Sequence, residues 1–102
     1  EDVLQAHPDL KAFFGINDDS ALAALAAVEK AGKVGKVKII GFDAVPEARK
    51  AIAEGRIYAD VIQQPKKIGQ STVEAVQTYL SGGTVDPTIL IPCDLFTQVD
   101  AD

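Results

Sequence analysis

Short apolar segments alternate with longer amphipathic ones along this chain, and that alternation limits the folds open to it more than any other feature. Four segments are predicted to be strands, at residues 12–16, 37–42, 57–63 and 88–96. Three helices are predicted between them, at residues 19–31, 46–55 and 65–80. Strands that are apolar along nearly their whole length are typical of parallel sheets covered on both faces. The sequence therefore predicts an α/β fold, a parallel sheet with helices on both faces, in the order β-α-β-α-β-α-β.

The predicted helix ends carry residues that commonly stand there. The segment 17–20 supplies N-cap candidates, because its side chains accept hydrogen bonds from the first N–H groups of a helix. Pro46 suits a first helical turn, where its fixed φ fits and its missing N–H is no loss. Gly55 is expected to end that helix. A short helix at Asp2–Ala6 is expected to stop at His7, because a residue that precedes proline disfavours helical backbone.

Apolar positions at helical spacing predict which side chains are buried. On the first long helix the predicted core residues are Leu22, Leu25, Ala26 and Val28. On the helix at 65–80 the predicted core residues are Ile68, Val73, Val76 and Leu80. Spacings of three and four residues place side chains on one face of a helix. We therefore expect both sets to contribute to the core.

The composition argues against several classes of protein. A length of 102 residues suits one domain. A formal charge of −5 and scattered lysines argue against nucleic-acid binding, since phosphate contacts need clustered Lys and Arg. No apolar run approaches the roughly 18 residues that cross a bilayer, so no membrane insertion is predicted. The chain has one histidine, His7, and one cysteine, Cys93, so no metal site is predicted. Cys93 is expected to be a packing residue. No Gly-rich loop precedes a helix, so no cofactor is predicted.

Polar side chains stand at the ends of three predicted strands. Asn17 follows the first strand, Asp43 follows the second and Gln63 ends the third. In open α/β sheets the ligand crevice lies at the carboxyl ends of the strands, so these side chains are expected to share one edge. A helix cap or a turn is an alternative explanation for any one of them. Glutamine is a poor helix cap, so of the three residues Gln63 is the strongest indication of a ligand.

The residue types at this edge indicate binding instead of catalysis. A carboxylate accepts hydrogen bonds and an amide both donates and accepts them, which suits a neutral ligand rich in hydroxyls. His7 lies at the opposite end of the first strand, too far to act as a base there. Asp18 and Asp19 stand at a helix start, where acids usually cap, so neither is predicted to act in glycoside hydrolysis.

Three segments resemble the C-terminal part of periplasmic sugar-binding proteins of the ribose-binding type. They are FFGINDDSALAALAAVEKAG, KIIGFDAVPEARKAI and GRIYADVIQQPKKIGQSTVEAV, and together they cover nearly the whole chain. The ND and GFD motifs are shared with effector domains of LacI-type repressors, whereas the QQPKKIG segment is more similar to the transport proteins. The resemblance implies two similar α/β lobes joined by a hinge, with a sugar closed between them.

The resemblance also implies roles for individual residues. In such proteins the Asn of ND, the Asp of GFD and the Gln before the proline bind sugar hydroxyls, and these positions are Asn17, Asp43 and Gln63 here. Gln64 and Pro65 would be hinge residues. Residues 1–63 would then be a portion of the C-terminal lobe, and residues 64–102 a hinge crossing, a helix of the other lobe and a final strand.

The function implied is the binding component of an ABC-type sugar importer. Its partners would be a monosaccharide and a membrane permease, and its location the periplasm, or the cell surface as a lipoprotein in a Gram-positive organism. The chain is expected to be a fragment, because the resemblance leaves the first lobe and half of the second unaccounted for. In this chain Ala44 and Val45 follow the GFD motif, where a small Gly is common in the family, which affects how closely a ligand approaches.

Two other functions remain as alternatives. The first is the effector-binding domain of a LacI-type transcriptional repressor, which would use the same pocket to control DNA release. The second is a flavodoxin-like enzyme or a receiver domain, in which acids would cluster around Asp43. Asp18 and Asp19 could supply such a cluster, but the third strand ends in a glutamine and no lysine ends a later strand.

Overall fold

The elements of the computed structural model, which describes residues 1–101, follow the predicted order with one short helix added at the end. They are α1 (Asp2–Ala6), β1 (Ala12–Phe14), α2 (Asp18–Lys30), β2 (Lys38–Phe42), α3 (Pro46–Ala53), β3 (Ala59–Ile62), α4 (Pro65–Leu80), β4 (Asp94–Thr97) and α5 (Gln98–Ala101). The strand order in the sheet is β1-β2-β3-β4, and the β1–β2 and β2–β3 pairs are parallel. The predicted α/β fold with a parallel sheet is confirmed.

The chain divides into two compact units. The first unit comprises Glu1–Ile62 and the segment from Leu95 onward, and the second comprises Gln63–Asp94. Within the residues that the structure describes, no helix combines the length and the apolar character needed to cross a membrane.

The first unit contains the hydrophobic core. Helix α2 packs against β1 and β2 and contacts α3, and buried side chains of α2, α3 and β2 belong to one apolar cluster. The buried apolar side chains are Leu4, Ala21, Leu25, Val28, Val37, Ile39, Ala48, Ala51, Ile52 and Ile57. Leu25 and Val28 are buried as predicted, whereas Leu22 is half-buried and Ala26 is exposed. The prediction for Ala26 was wrong because Ala21 faces the sheet from the first turn of α2, which turns Ala26 outward.

The second unit consists of α4 and an irregular segment. The bounds of α4 are those predicted, because Pro65 and the Gly82–Gly83 pair mark its ends. The prediction of core contacts on α4 was wrong, since none of its residues is buried and Leu80 is 78% exposed. A single helix beside an irregular segment provides no sheet against which an apolar face could pack.

The predicted last strand and Cys93 also need correction. The segment 88–93 is irregular, and β4 begins only at Asp94, after Pro92, which lacks the N–H that a sheet ladder needs. The strand lies at the edge of the sheet, as expected for a segment that follows a proline. Cys93 is exposed and is not a packing residue.

Candidate functional site

The turn at the carboxyl end of β2 has an unusual backbone. Asp43 has a φ of 102° and Ala44 has a φ of 55°. L-residues rarely adopt positive φ because the Cβ atom crowds the backbone, and such strain persists only where the surroundings enforce it. The turn, defined here as Phe42–Val45, must therefore be held by other parts of the chain.

Asp18 holds this turn from helix α2. Its Oδ1 accepts the N–H of Phe42 at 3.0 Å and its Oδ2 accepts the N–H of Val45 at 2.7 Å. The side chain is 2% exposed, so water does not compete for these hydrogen bonds. The prediction that Asp18 caps its own helix was wrong, because its carboxylate bonds to this distant turn while Asn17 occupies the N-cap.

Two further hydrogen bonds fix the turn. The N–H of Asp43 donates to the carbonyl oxygen of Val61 at 2.8 Å, which continues the ladder between β2 and β3. The Nε of Arg49, on α3, donates to the carbonyl oxygen of Ala44 at 2.6 Å. The guanidinium of Arg49 also lies 4.8 Å from the ring centroid of Phe96. The strained turn is thus anchored to α2, α3 and β3.

The side chain of Asp43 takes no part in holding the turn. It is exposed, and no described residue donates a hydrogen bond to its carboxylate. A carboxylate in a strained position that contributes no internal bond is free to accept hydrogen bonds from another molecule. The hydrogen bonds of the described residues thus leave the Asp43 carboxylate unused, and its ligand-binding role stays a prediction.

Asn17 combines a structural role with unused hydrogen-bonding capacity. Its Oδ1 accepts the N–H of Ser20 at 2.9 Å, so it is the N-cap of α2. The side chain is half-buried, and its amide nitrogen donates to no described residue. A cap of this kind leaves both N–H groups of the amide available to a ligand.

Gln63, Gln64 and Pro65 lie in the second unit. Gln63 comes directly after the last residue of β3 and is exposed. Gln64 is half-buried, and its Nε2 donates to the carbonyl oxygen of Pro92 at 2.7 Å. Pro65 begins α4. The bond from Gln64 thus ties the start of the second unit to a residue near its end.

Asp60 is the polar group that the sequence analysis missed. It lies on β3 opposite Gly41, is 0% exposed, and neither of its carboxylate oxygens has a hydrogen-bond partner among the described residues. Burial and the neighbouring Asp18 carboxylate raise the pKa of Asp60 to about 7, against a weaker opposite effect of the Gly41 and Ala44 amides. An acid in the otherwise apolar segment IYADVI was the signal that could have identified it.

No metal centre is evident in the part of the chain that the structure describes. Within residues 1–101, no three His, Cys, Asp or Glu side chains come together in a way that could hold a metal ion. The candidate ligand-binding groups are the free carboxylate of Asp43 and the amide of Asn17, and Asp18 bonds to the turn that carries Asp43.

A family model described as "Periplasmic binding protein domain" matches residues 1–84. The chain is 42% identical over 98 residues to a ribose import binding protein of Bacillus subtilis strain 168, covering 96% of this chain and 32% of that protein. It is 40% identical over 85 residues to the D-allose-binding periplasmic protein of Escherichia coli K12, covering 83% of this chain and 27% of that protein.

Solved structures show the same similarity. An ABC transporter periplasmic solute binding protein from Actinobacillus succinogenes 130z, solved with bound D-allose, matches with a TM-score of 0.82 and 26% identity, covering 98% of this chain and 35% of that one. The chain thus spans about a third of the length of the proteins that it resembles.

Proposed function

The chain belongs to the periplasmic binding protein family, and from this premise we propose that it forms part of the substrate-binding component of an ABC-type sugar importer. The observation that carries the proposal is the turn Phe42–Val45, which is strained and anchored from three sides, yet presents a free carboxylate. Maintaining positive φ at a residue that makes no internal side-chain bond has an energetic cost, and a binding role for Asp43 explains it.

The proposed mechanism is binding without a chemical step. Sugar hydroxyls donate to the Asp43 carboxylate and exchange hydrogen bonds with the amide of Asn17. Gln63 is proposed as a third contact from its position directly after β3. Closing two lobes on the sugar removes water from these groups, and a ligand that leaves one of them unpaired costs about 1–3 kcal/mol for each such group. That penalty is the proposed source of specificity.

We propose that the two-lobed arrangement of the family divides this chain near the end of β3. Residues 1–63 would belong to the C-terminal lobe, and residues 64–102 would contain the hinge crossing, a helix of the other lobe and the final strand. Gln64 and Pro65 are the proposed hinge residues. The bond from Gln64 to the carbonyl of Pro92 supports this assignment, because it joins two chain segments near the points where the second unit begins and ends.

The proposed partners are a monosaccharide and a membrane permease, and the proposed location is outside the cytoplasm. The relatives named above are a ribose import binding protein and a D-allose-binding periplasmic protein, which favours transport over the alternative of a LacI-type repressor. The same relatives favour binding over enzymatic activity.

Calorimetric titration of the full-length protein tests this function. D-ribose and D-allose are the first ligands to try, and a neutral amino acid of similar size serves as the control. We expect saturable binding of at least one sugar and no binding of the amino acid. Binding of the amino acid with no binding of any pentose or hexose would overturn the proposal.

Two substitutions of Asn17 separate its cap from its proposed ligand contact. Asn17→Asp keeps a capping oxygen for the Ser20 N–H but removes the amide donors. We expect unchanged stability and sugar affinity about tenfold weaker or more. Asn17→Ala removes both roles and is expected to lower the free energy of unfolding by about 1 kcal/mol as well. Urea unfolding measures stability and calorimetry measures sugar affinity. Full affinity in Asn17→Asp would mean that Asn17 caps the helix and does not donate hydrogen bonds to the sugar.

A further inference from the structure

We propose that Asp18 and Asp60 share one proton, and that this shared proton holds the turn Phe42–Val45 in the conformation that presents Asp43. The pair would act through the turn, so Asp60 is a positioning residue and does not contact ligand. The shared proton does not depend on any ligand, whereas its effect on ligand binding rests on the proposed function.

Gly41 lies between the two carboxylates. It stands opposite Asp60 in the β2–β3 register, and a Cβ atom added to it would overlap an oxygen of each acid. Asp18 and Asp60 are thus near neighbours with no side chain between them. They are 2% and 0% exposed, so water does not screen their charges. Two carboxylates placed side by side in such surroundings do not both stay ionised.

The hydrogen bonds decide which acid takes the proton. Asp18 accepts two backbone N–H groups of the turn, and these stabilise its charged form. Neither oxygen of Asp60 accepts a hydrogen bond from a described residue. A protonated Asp60 resolves this, because its O–H donates to an oxygen of Asp18. The direction of the pKa of Asp60, raised to about 7 by burial and by Asp18, agrees with this assignment.

No positive charge takes the place of the proton. Among the described residues, the ion pairs do not include Asp60. Arg49 of α3 is engaged with a backbone carbonyl of the turn, and Lys50 is exposed. Lys38 of β2 is exposed and lies over the ring of Tyr58. The other acids of α2, α3, β4, α5 and the turns are exposed, namely Asp19, Glu29, Asp43, Glu47, Glu54, Asp94 and Asp100.

The sign of the pH dependence follows from the raised pKa. The ordinary pKa of an aspartate is 3.8, and that of Asp60 in the folded protein is about 7. Between these values the folded state binds more protons than the unfolded state. The contribution to stability is complete below about pH 4 and is lost as the pH rises to about 7. Above that pH, two buried negative charges repel each other beneath the turn.

An NMR titration of the side-chain carboxyl carbons in the full-length protein tests the pair directly. We expect the carboxyl of Asp60 to titrate near pH 7. Titration of the Asp60 carboxyl below about pH 5, the ordinary range of aspartate, would overturn the proposal. This measurement uses the wild-type protein and needs no variant to fold.

Asp60→Asn tests the same pair through stability. Its side-chain N–H donates to Asp18 at every pH, so the hydrogen bond stays while the titration disappears. The wild-type midpoint of urea unfolding is expected to fall between about pH 5 and about pH 8, and the variant is expected to lack this fall. Asp19→Asn is the matched control, because it removes an exposed acid of α2, and it should keep the fall. The same fall in Asp60→Asn as in the wild type contradicts the proposal.

Sugar affinity tests whether the pair positions Asp43. In the wild type we expect affinity to weaken by up to about tenfold from about pH 6 to about pH 8. In Asp60→Asn we expect no such change. Constant wild-type affinity, in a protein whose Asp60 titrates near neutral pH, would overturn the positioning role. Absence of sugar binding at every pH would overturn the proposed function. The carboxyl titration would then be the test of whether Asp18 and Asp60 share a proton.

Discussion

Gly41→Ala is expected to lower the free energy of unfolding by about 3 kcal/mol or more. The added Cβ atom would lie 2.5 Å from Oδ1 of Asp18, nearer still to Oδ1 of Asp60, and 3.1 Å from the Cβ of Ala21. None of these neighbours can move freely, because Asp18 is bonded to the turn and Asp60 is fully buried. The methyl group would also break any hydrogen bond between the two acids.

Gly69→Ala is the matched control for this substitution. Gly69 lies within α4, and a Cβ added there meets nothing within 4 Å. The same chemical change is therefore expected to stabilise this helix by up to about 1 kcal/mol, because alanine has the higher helix propensity. Urea unfolding followed by circular dichroism measures both variants. A loss below about 1 kcal/mol in Gly41→Ala would show that the two carboxylates separate easily, against the packing described here.

Local sequence signals predicted the order of the elements and the bounds of α4. Apolar periodicity identifies a strand or a helix within a few residues of itself, and Pro65 and Gly82 mark helix ends by their own backbone preferences. The same signals do not reveal what covers an apolar face. The stripe on α4 has helical spacing, yet its side chains are exposed, because burial depends on elements elsewhere in the fold.

The role of Asp18 was beyond local signals for a similar reason. An acid at a helix start is usually a cap, but this one accepts N–H groups that lie 24 and 27 residues further along the chain. Only the packing of α2 against β2 brings those groups together. Asp43 became a candidate because the ligand crevice of an open α/β sheet generally lies at the carboxyl ends of its strands. The strain of its backbone became visible only with the structure.

Asp43→Gly is expected to abolish sugar binding while making the protein more stable. Glycine adopts a φ of 102° without strain, so the free energy of unfolding should rise by about 1 kcal/mol. The lost carboxylate accepts hydrogen bonds in the proposed complex, and bonds to a charged group contribute roughly 1.5–3 kcal/mol each. Sugar affinity should therefore fall by about 100-fold or more. Calorimetry and urea unfolding of the full-length protein measure the two effects.

Asp43→Ala and Asp43→Asn divide the effect into its causes. Alanine removes the carboxylate but retains a Cβ atom at positive φ, so affinity should be lost without the gain in stability. Asparagine tolerates positive φ and keeps one accepting oxygen, so it should bind sugar with intermediate affinity at unchanged stability. A loss of stability in Asp43→Gly would mean that the carboxylate supports the turn. Undiminished sugar affinity in Asp43→Gly would show that Asp43 does not bind the sugar. A strained binding residue is distinguished from a structural one because its replacement changes stability and affinity in opposite directions.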